Sequence, residues 1–260
     1  MYIPPNAELF FYNETKTHLV GKFTSSRNQT NQLTHIQAIQ GRTIIVEYFE
    51  PSNVSSNFYL EISRVGYFFR GFEDYFEPFI HLPYKKKPNY AKAQSCQVDV
   101  ACTPESIGWN DQINAVVHFT FPVGPGLISF CSASVINNSA NDCTPYILTA
   151  WHCGDHTANQ NLSGHTWYFN YQKSSCSPNA NGTNPGKGNE TMINGDVRAT
   201  SGAGTLNNPP GNNQVAGSDF TLVELSNNIP QSYNAFYAGW DRRNTAATSG
   251  VGIHHPAGSA

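Results

Sequence analysis

The sequence predicts an all-β protein, and three observations carry that expectation. Its apolar runs are short and rich in β-branched and aromatic residues, as in Thr43-Ile44-Ile45-Val46-Glu47-Tyr48-Phe49 and Thr166-Trp167-Tyr168-Phe169-Asn170-Tyr171, the composition of strands that lie half-buried on a pleated surface. Clusters of turn formers separate the runs, among them Asn13-Glu14-Thr15, Gln40-Gly41-Arg42 and Pro51-Ser52-Asn53. No stretch of useful length places apolar residues at helical spacing. Charged residues make up only 13% of the 260-residue chain and aromatics another 13%, a balance that suits an extracellular β protein.

In chain order, residues 1–84 hold Leu9-Phe10-Phe11-Tyr12, Thr43–Phe49 and Phe58-Tyr59-Leu60-Glu61-Ile62, which together predict a small β-sandwich. Taken alone, such a region also reads as an independent binding module. Residues 85–95 form a basic, proline-containing linker, Lys85-Lys86-Lys87-Pro88-Asn89-Tyr90-Ala91-Lys92, of the exposed kind where proteolytic nicking concentrates. Strand patterning resumes at Ala115-Val116-Val117-His118-Phe119 and at Thr166–Tyr171. The segments Ser177–Gly188 and Gly202–Gly217 are Asn/Gly/Pro-rich surface loops.

Several classes are excluded by composition. A net charge near −3 supplies no basic field for nucleic acid. No apolar run reaches the about 18 residues of a membrane span. The opening Met1-Tyr2-Ile3-Pro4-Pro5 lacks the basic start and apolar stretch of a signal peptide. The length accommodates one large domain or two modest ones with a buried core. All six cysteines fall between Cys96 and Cys176, which fits an oxidising compartment, though spacing alone leaves their pairing open.

The richest segment runs from Cys131 to Cys153. The apolar strand Tyr146-Ile147-Leu148 leads into Thr149-Ala150-Trp151-His152-Cys153, placing a histidine at a strand end beside a cysteine. A general base must be held so that one ring nitrogen faces a nucleophile and the other meets a carboxylate. Ser218-Asp219-Phe220-Thr221-Leu222-Val223 supplies such a carboxylate at the start of a second apolar strand. Histidine followed by aspartate is the chymotrypsin-like order, in which serine comes third.

These residues carry a resemblance. Thr149-Ala150-Trp151-His152-Cys153 resembles the histidine motif of trypsin-like serine proteases. Val135-Ile136-Asn137-Asn138-Ser139-Ala140-Asn141-Asp142, Gly239-Trp240-Asp241-Arg242-Arg243 and Ile253-His254-His255-Pro256-Ala257-Gly258 narrow it to the bacterial lysyl endopeptidase family. The resemblance covers roughly Cys96 to Ala260, and the upstream residues resemble that family's amino-terminal pro-region. It implies a trypsin-like double β-barrel, with the first barrel at 96–225 and the start of a second, incomplete one at 226–260. There, Ala235–Trp240 and Gly252–His255 are the expected strands.

The resemblance also implies His152 as general base and Asp219 as its orienting acid, with no metal or organic cofactor. It implies bridges Cys131–Cys153 and Cys102–Cys176, with Cys96 reaching a cysteine beyond residue 260 and Cys143 unassigned. Lys87 and Lys92 become expected self-processing points. His254 and His255 carry family likeness without a physical role, and His81, His118 and His165 read as structural or exposed.

The family's nucleophile turn, close to Gly-x-Ser-Gly-Ser-Pro, matches nothing here. Ser226, Ser232, Ser249 and Ser259 follow Asp219, but none has the flanking glycines of an oxyanion turn. The expectation is therefore a monomeric, secreted serine endopeptidase precursor, inactive as this fragment. Its signal peptide and remaining carboxyl part would lie outside the sequence, and its partners would be protein or peptide substrates, not nucleic acid or membrane. Two rivals stand beside it, a non-catalytic secreted β-rich homologue or binding module and a metal-dependent hydrolase using His and Asp ligands; separately, the cysteines admit a zinc site on His152, Cys153 and His156.

Overall fold

A computed structural model describes residues 1–28, 36, 38–39, 41–52, 57–66, 97–124, 127–154, 156, 159–173, 175–176, 190–201, 218–243 and 245–256. The linker 85–95 with Lys87 and Lys92, together with His81, Cys96 and Ser259, lies outside them. The fold is all-β, as the sequence predicts. Strands β1 (Glu8–Asn13), β2 (Leu19–Phe23) and β3 (Ile44–Phe49) form one antiparallel sheet in the order β2-β1-β3. Its buried side carries Ile3, Leu9, Phe11, Val20 and Phe23. The first turn is built by Asn13, whose Oδ1 accepts the backbone N–H groups of Thr17 and His18 at 2.9 and 3.1 Å, the local bonding that makes Asn a turn former.

One expectation in this region shifts and one strand is added. Phe58–Ile62 is no strand: Tyr59 makes a single bridge, to Tyr2. Conversely, β2 contains Gly21 and Lys22, residues depleted in strands, and hides from a propensity reading.

The second sheet has seven antiparallel strands. After a short helix α1 (Asn110–Ala115) come β4 (Val116–Gly124), β5 (Leu127–Ile136), β6 (Tyr146–Thr149), β7 (Thr166–Phe169), β8 (Thr191–Ile193), β9 (Asp196–Thr200) and β10 (Thr221–Glu224). Their spatial order is β8-β7-β4-β5-β6-β10-β9. The two edge strands, β8 and β9, are separated in sequence by Asn194 and Gly195 alone. A link of two residues cannot cross the width of a flat sheet, so the sheet must curl until its edges meet. Alternate residues then fill the interior: Val117, Phe119 and Phe121 of β4, Val135 of β5, Ile147 of β6, Trp167 and Phe169 of β7, Val197 of β9 and Val223 of β10. The one polar atom of Trp167 is satisfied there, its Nε1–H donating to the Asn194 carbonyl at 3.0 Å.

Beyond β10 the expected strands do not form among the described residues. Ala235–Trp240 contributes one parallel bridge, Ala238 to Ile136, and Gly252–His255 lies against the outside of the sheet by side-chain contacts. A strand needs a neighbouring backbone along its length, and Ala235–Trp240 meets one only at Phe236, bonded to Asn114, and at Ala238, bonded to Val135 and Asn137. No described helix is long and apolar enough to cross a membrane.

Candidate active site

Strands β6 and β10 run antiparallel with Thr149 opposite Thr221, so the residues just past β6 meet those just before β10. Trp151 keeps the pairing alive by donating its N–H to the Asp219 carbonyl at 3.1 Å. The chain then turns, with the Cys153 N–H reaching the Ala150 carbonyl at 3.3 Å, and His152 sits on that turn. Its backbone N–H donates to Asp219 Oδ1 at 3.0 Å, and its Nδ1 lies 2.6 Å from Asp219 Oδ2. An ionised carboxylate only accepts, so Nδ1 carries the proton that bonds Asp219.

The His152 side chain is 58% exposed and that of Asp219 30%. Partial burial alone would raise the Asp219 carboxyl. The bonds from the His152 backbone and ring, the His152 charge and the Trp151 N–H outweigh it and hold the carboxyl below its ordinary value. The acid is thus held in its ionised form, with the exposed His152 ring bonded to it through Nδ1.

A disulfide joins Cys131 on β5 to Cys153, next to His152, with Cα atoms 6.1 Å apart. Closing this loop, a sequence separation of 22, stabilises the fold by about 3 kcal/mol in the loop-entropy account. The second bridge is Cys102–Cys176. Cys143 is an exposed free thiol. Cys131, His152 and Cys153 bring potential ligand atoms within 4.8 Å of one another, but both sulfurs are spent in the disulfide and neither is a thiolate donor. A zinc set of His152, Cys153 and His156 loses its cysteine for the same reason.

Among the described residues no hydrogen bond joins His152 to a serine. Ser226 follows β10 at the end opposite Asp219. Ser232 lies in the short 3-10 turn Gln231–Tyr233, and Ser249 in an exposed bend.

Two histidine clusters were not legible beforehand. His156 and His165 are both buried and their Nε2 atoms meet at 3.0 Å. On the outer face of the sheet, His118 stacks on Tyr171 with ring centres 4.5 Å apart and meets His255 edge-on at 5.1 Å. Ser132 Oγ accepts the His255 N–H at 2.8 Å, and His255 Nε2–H donates to the Tyr171 carbonyl at 2.9 Å. Next to it, His254 pairs with Gln97 at 3.2 Å. Most of these contacts are long-range, 84 positions between Tyr171 and His255 and 123 between Ser132 and His255, so local spacing does not announce them; His156 and His165 are nine apart but lie in no regular element that would set them face to face.

Residues 90–260 match the family model of the lysyl endopeptidase C-terminal domain. The chain belongs to the lysyl endopeptidase family, a family of proteases, and the two disulfides among the described residues fit the oxidising surroundings of a secreted protein.

Proposed function

We propose that this chain carries the base and the orienting acid of a secreted serine endopeptidase, with the nucleophile and oxyanion turn supplied by sequence beyond residue 260. The supporting observation is the two-point grip of Asp219 on His152, 3.0 Å to the backbone N–H and 2.6 Å to the ring. In the proposed reaction His152 Nε2 takes the serine hydroxyl proton as the serine oxygen bonds the scissile carbonyl carbon. The resulting imidazolium, stabilised by Asp219, protonates the leaving amine as the C–N bond breaks. Water then attacks the acyl-enzyme, giving its proton to His152, and the serine leaves with a proton returned from it. Cleavage after lysine, a pro-region at 1–84 and self-processing at Lys87 or Lys92 belong to the same proposal and rest on family likeness.

The test is to express the chain alone and extended by its downstream coding sequence, against peptide amides. The 260-residue chain should be inactive, since loss of a protease nucleophile costs on the order of 10⁶ in turnover. The extended chain should gain activity that serine-directed acylating reagents and His152→Ala both abolish. An extended chain that folds, contains a glycine-flanked serine and still cleaves nothing would favour a non-catalytic homologue instead.

A further inference from the structure

The turn that carries His152 is braced by groups the proposed reaction does not consume. Trp151 faces two ways: its backbone N–H bonds the Asp219 carbonyl at 3.1 Å, and its indole Nε1–H bonds the His156 carbonyl at 3.0 Å. It therefore ties the start of the acid-bearing strand to the return leg of the histidine turn. His156 is 1% exposed, and its Nε2 lies 3.0 Å from that of His165. Two imidazole nitrogens at that distance share one proton, one ring donating and the other accepting. His165 is fixed in turn. Its N–H reaches the Leu162 carbonyl at 3.0 Å and its carbonyl takes the Asn194 N–H at 3.2 Å, while its ring lies along Phe119, Phe121 and Trp167 of the core. Room for the His156 ring exists because residue 154 is glycine. At φ 131° a Cβ there would be strained, and it would stand 2.6 Å from His156 Nε2.

The brace answers a mechanical need. The His152 ring is more than half exposed, so packing does little to orient it. The disulfide fixes the turn at Cys153, and a single link leaves rotation about it open. Holding ring and backbone on one carboxylate requires a second fixed point, and catalytic geometry tolerates little slack.

We propose that Trp151 and His156 are positioning residues for His152, the indole bond and the His156–His165 pair together holding the turn at the angle that lets both the ring and the backbone of His152 reach Asp219. The significance for catalysis rests on reading His152 as the general base, whereas the geometric effect is observable without any reaction.

The experiment uses the 260-residue chain with ¹⁵N-labelled histidine, and NMR reads the exchange of the His152 Nδ1 proton with water well below the unfolding transition. Trp151→Phe removes the indole N–H but keeps most of the ring. His156→Leu removes the pair but keeps bulk, and His156→Gln restores an amide at similar reach. Exchange should accelerate at least about tenfold in Trp151→Phe and His156→Leu and return most of the way in His156→Gln. Folded variants that all keep the unsubstituted chain's exchange rate overturn the proposal. Should His156→Leu not fold, Trp151→Phe decides alone, since its side chain lies only partly in the core. In an extended, active chain Trp151→Phe should lower kcat with KM unchanged. Activity that survives His152→Ala would sink the general-base reading while leaving the NMR result standing.

Discussion

Asp219 makes three bonds at once: its carbonyl takes the Trp151 N–H, one carboxylate oxygen the His152 N–H, and the other the His152 ring. It does so at φ 48°, in the left-handed region that Asp and Asn enter more readily than other side chains with a Cβ. Asp219→Asn keeps that backbone freedom but turns one acceptor into a donor facing a donor. In an extended enzyme, turnover should fall about 10⁴-fold, because the imidazole loses its tautomer and its counter-charge. In the chain alone the effect is linked to pH. The carboxyl is held below its ordinary value by bonds and charge that outweigh the opposing effect of partial burial. Its contribution is thus complete above the unfolded aspartate value of about 3.9 and is lost as pH falls through the lower folded one. Urea unfolding should show a gap between the two proteins at pH 6 that closes in acid; a gap constant with pH would mean the charge contributes nothing. Sequence context was enough to single out His152 and Asp219, since each ends or begins an apolar strand. The two-point grip was not legible because it depends on the β6–β10 register, and the left-handed turn and the indole brace were not because each depends on local loop geometry that no motif announces.

At the scale of elements, the closure of the curled sheet depends on the two-residue link between β8 and β9. Asn194 takes a left-handed φ of 65°, and Gly195 passes so close to β10 that a Cβ would lie 2.7 Å from Val223 Cγ1 and 3.0 Å from the Glu224 carbonyl. The carbonyl belongs to a paired strand and cannot step aside. Gly195→Ala should therefore destabilise the chain by about 1–3 kcal/mol through overpacking, read as a lower denaturant midpoint at unchanged slope. An unchanged midpoint would mean that the link does not constrain the curl. Strands were legible where pattern and propensity agree: Val116–Phe119 within β4, Tyr146–Leu148 within β6, Thr166–Phe169 as β7 and the run after Asp219 as β10. β8 and β9 were not, being set among Asn-, Gly- and Asp-containing sequence without an apolar run of their own. Phe58–Ile62 has strand composition but only a single bridge, a case of tertiary context overriding propensity.

At the scale of the whole molecule, the carboxyl-terminal segment is fastened to the outside of the curled sheet by neutral histidines, and this makes its attachment acid-sensitive. Burial pushes His255 down to about 4; its bond to the Tyr171 carbonyl opposes that shift and the neighbouring His254 adds to it. Burial and then His255 also hold His118 well below the ordinary histidine value. Among the described residues, the titratable groups packed on His255 are His118 from β4, Tyr171 beyond β7 and His254 beside it, and none of these is a carboxylate that would welcome a proton. In the neutral ring Nε2–H donates to Tyr171, while Nδ1 lies 3.4 Å from the Ser132 hydroxyl. Protonation turns that acceptor into a donor and places a charge against His118. Because the folded value lies below the unfolded 6.5, the stabilisation is complete above pH about 6.5. It drains as pH falls towards 4, and the loss from His255 is at most on the order of 3 kcal/mol. Thermal unfolding followed from pH 7 to 4 should show a steep fall in Tm, shallower in His255→Gln and flatter still when His118→Phe is added. A double variant that keeps the full slope would place the acid sensitivity elsewhere and leave the histidine cluster as packing alone.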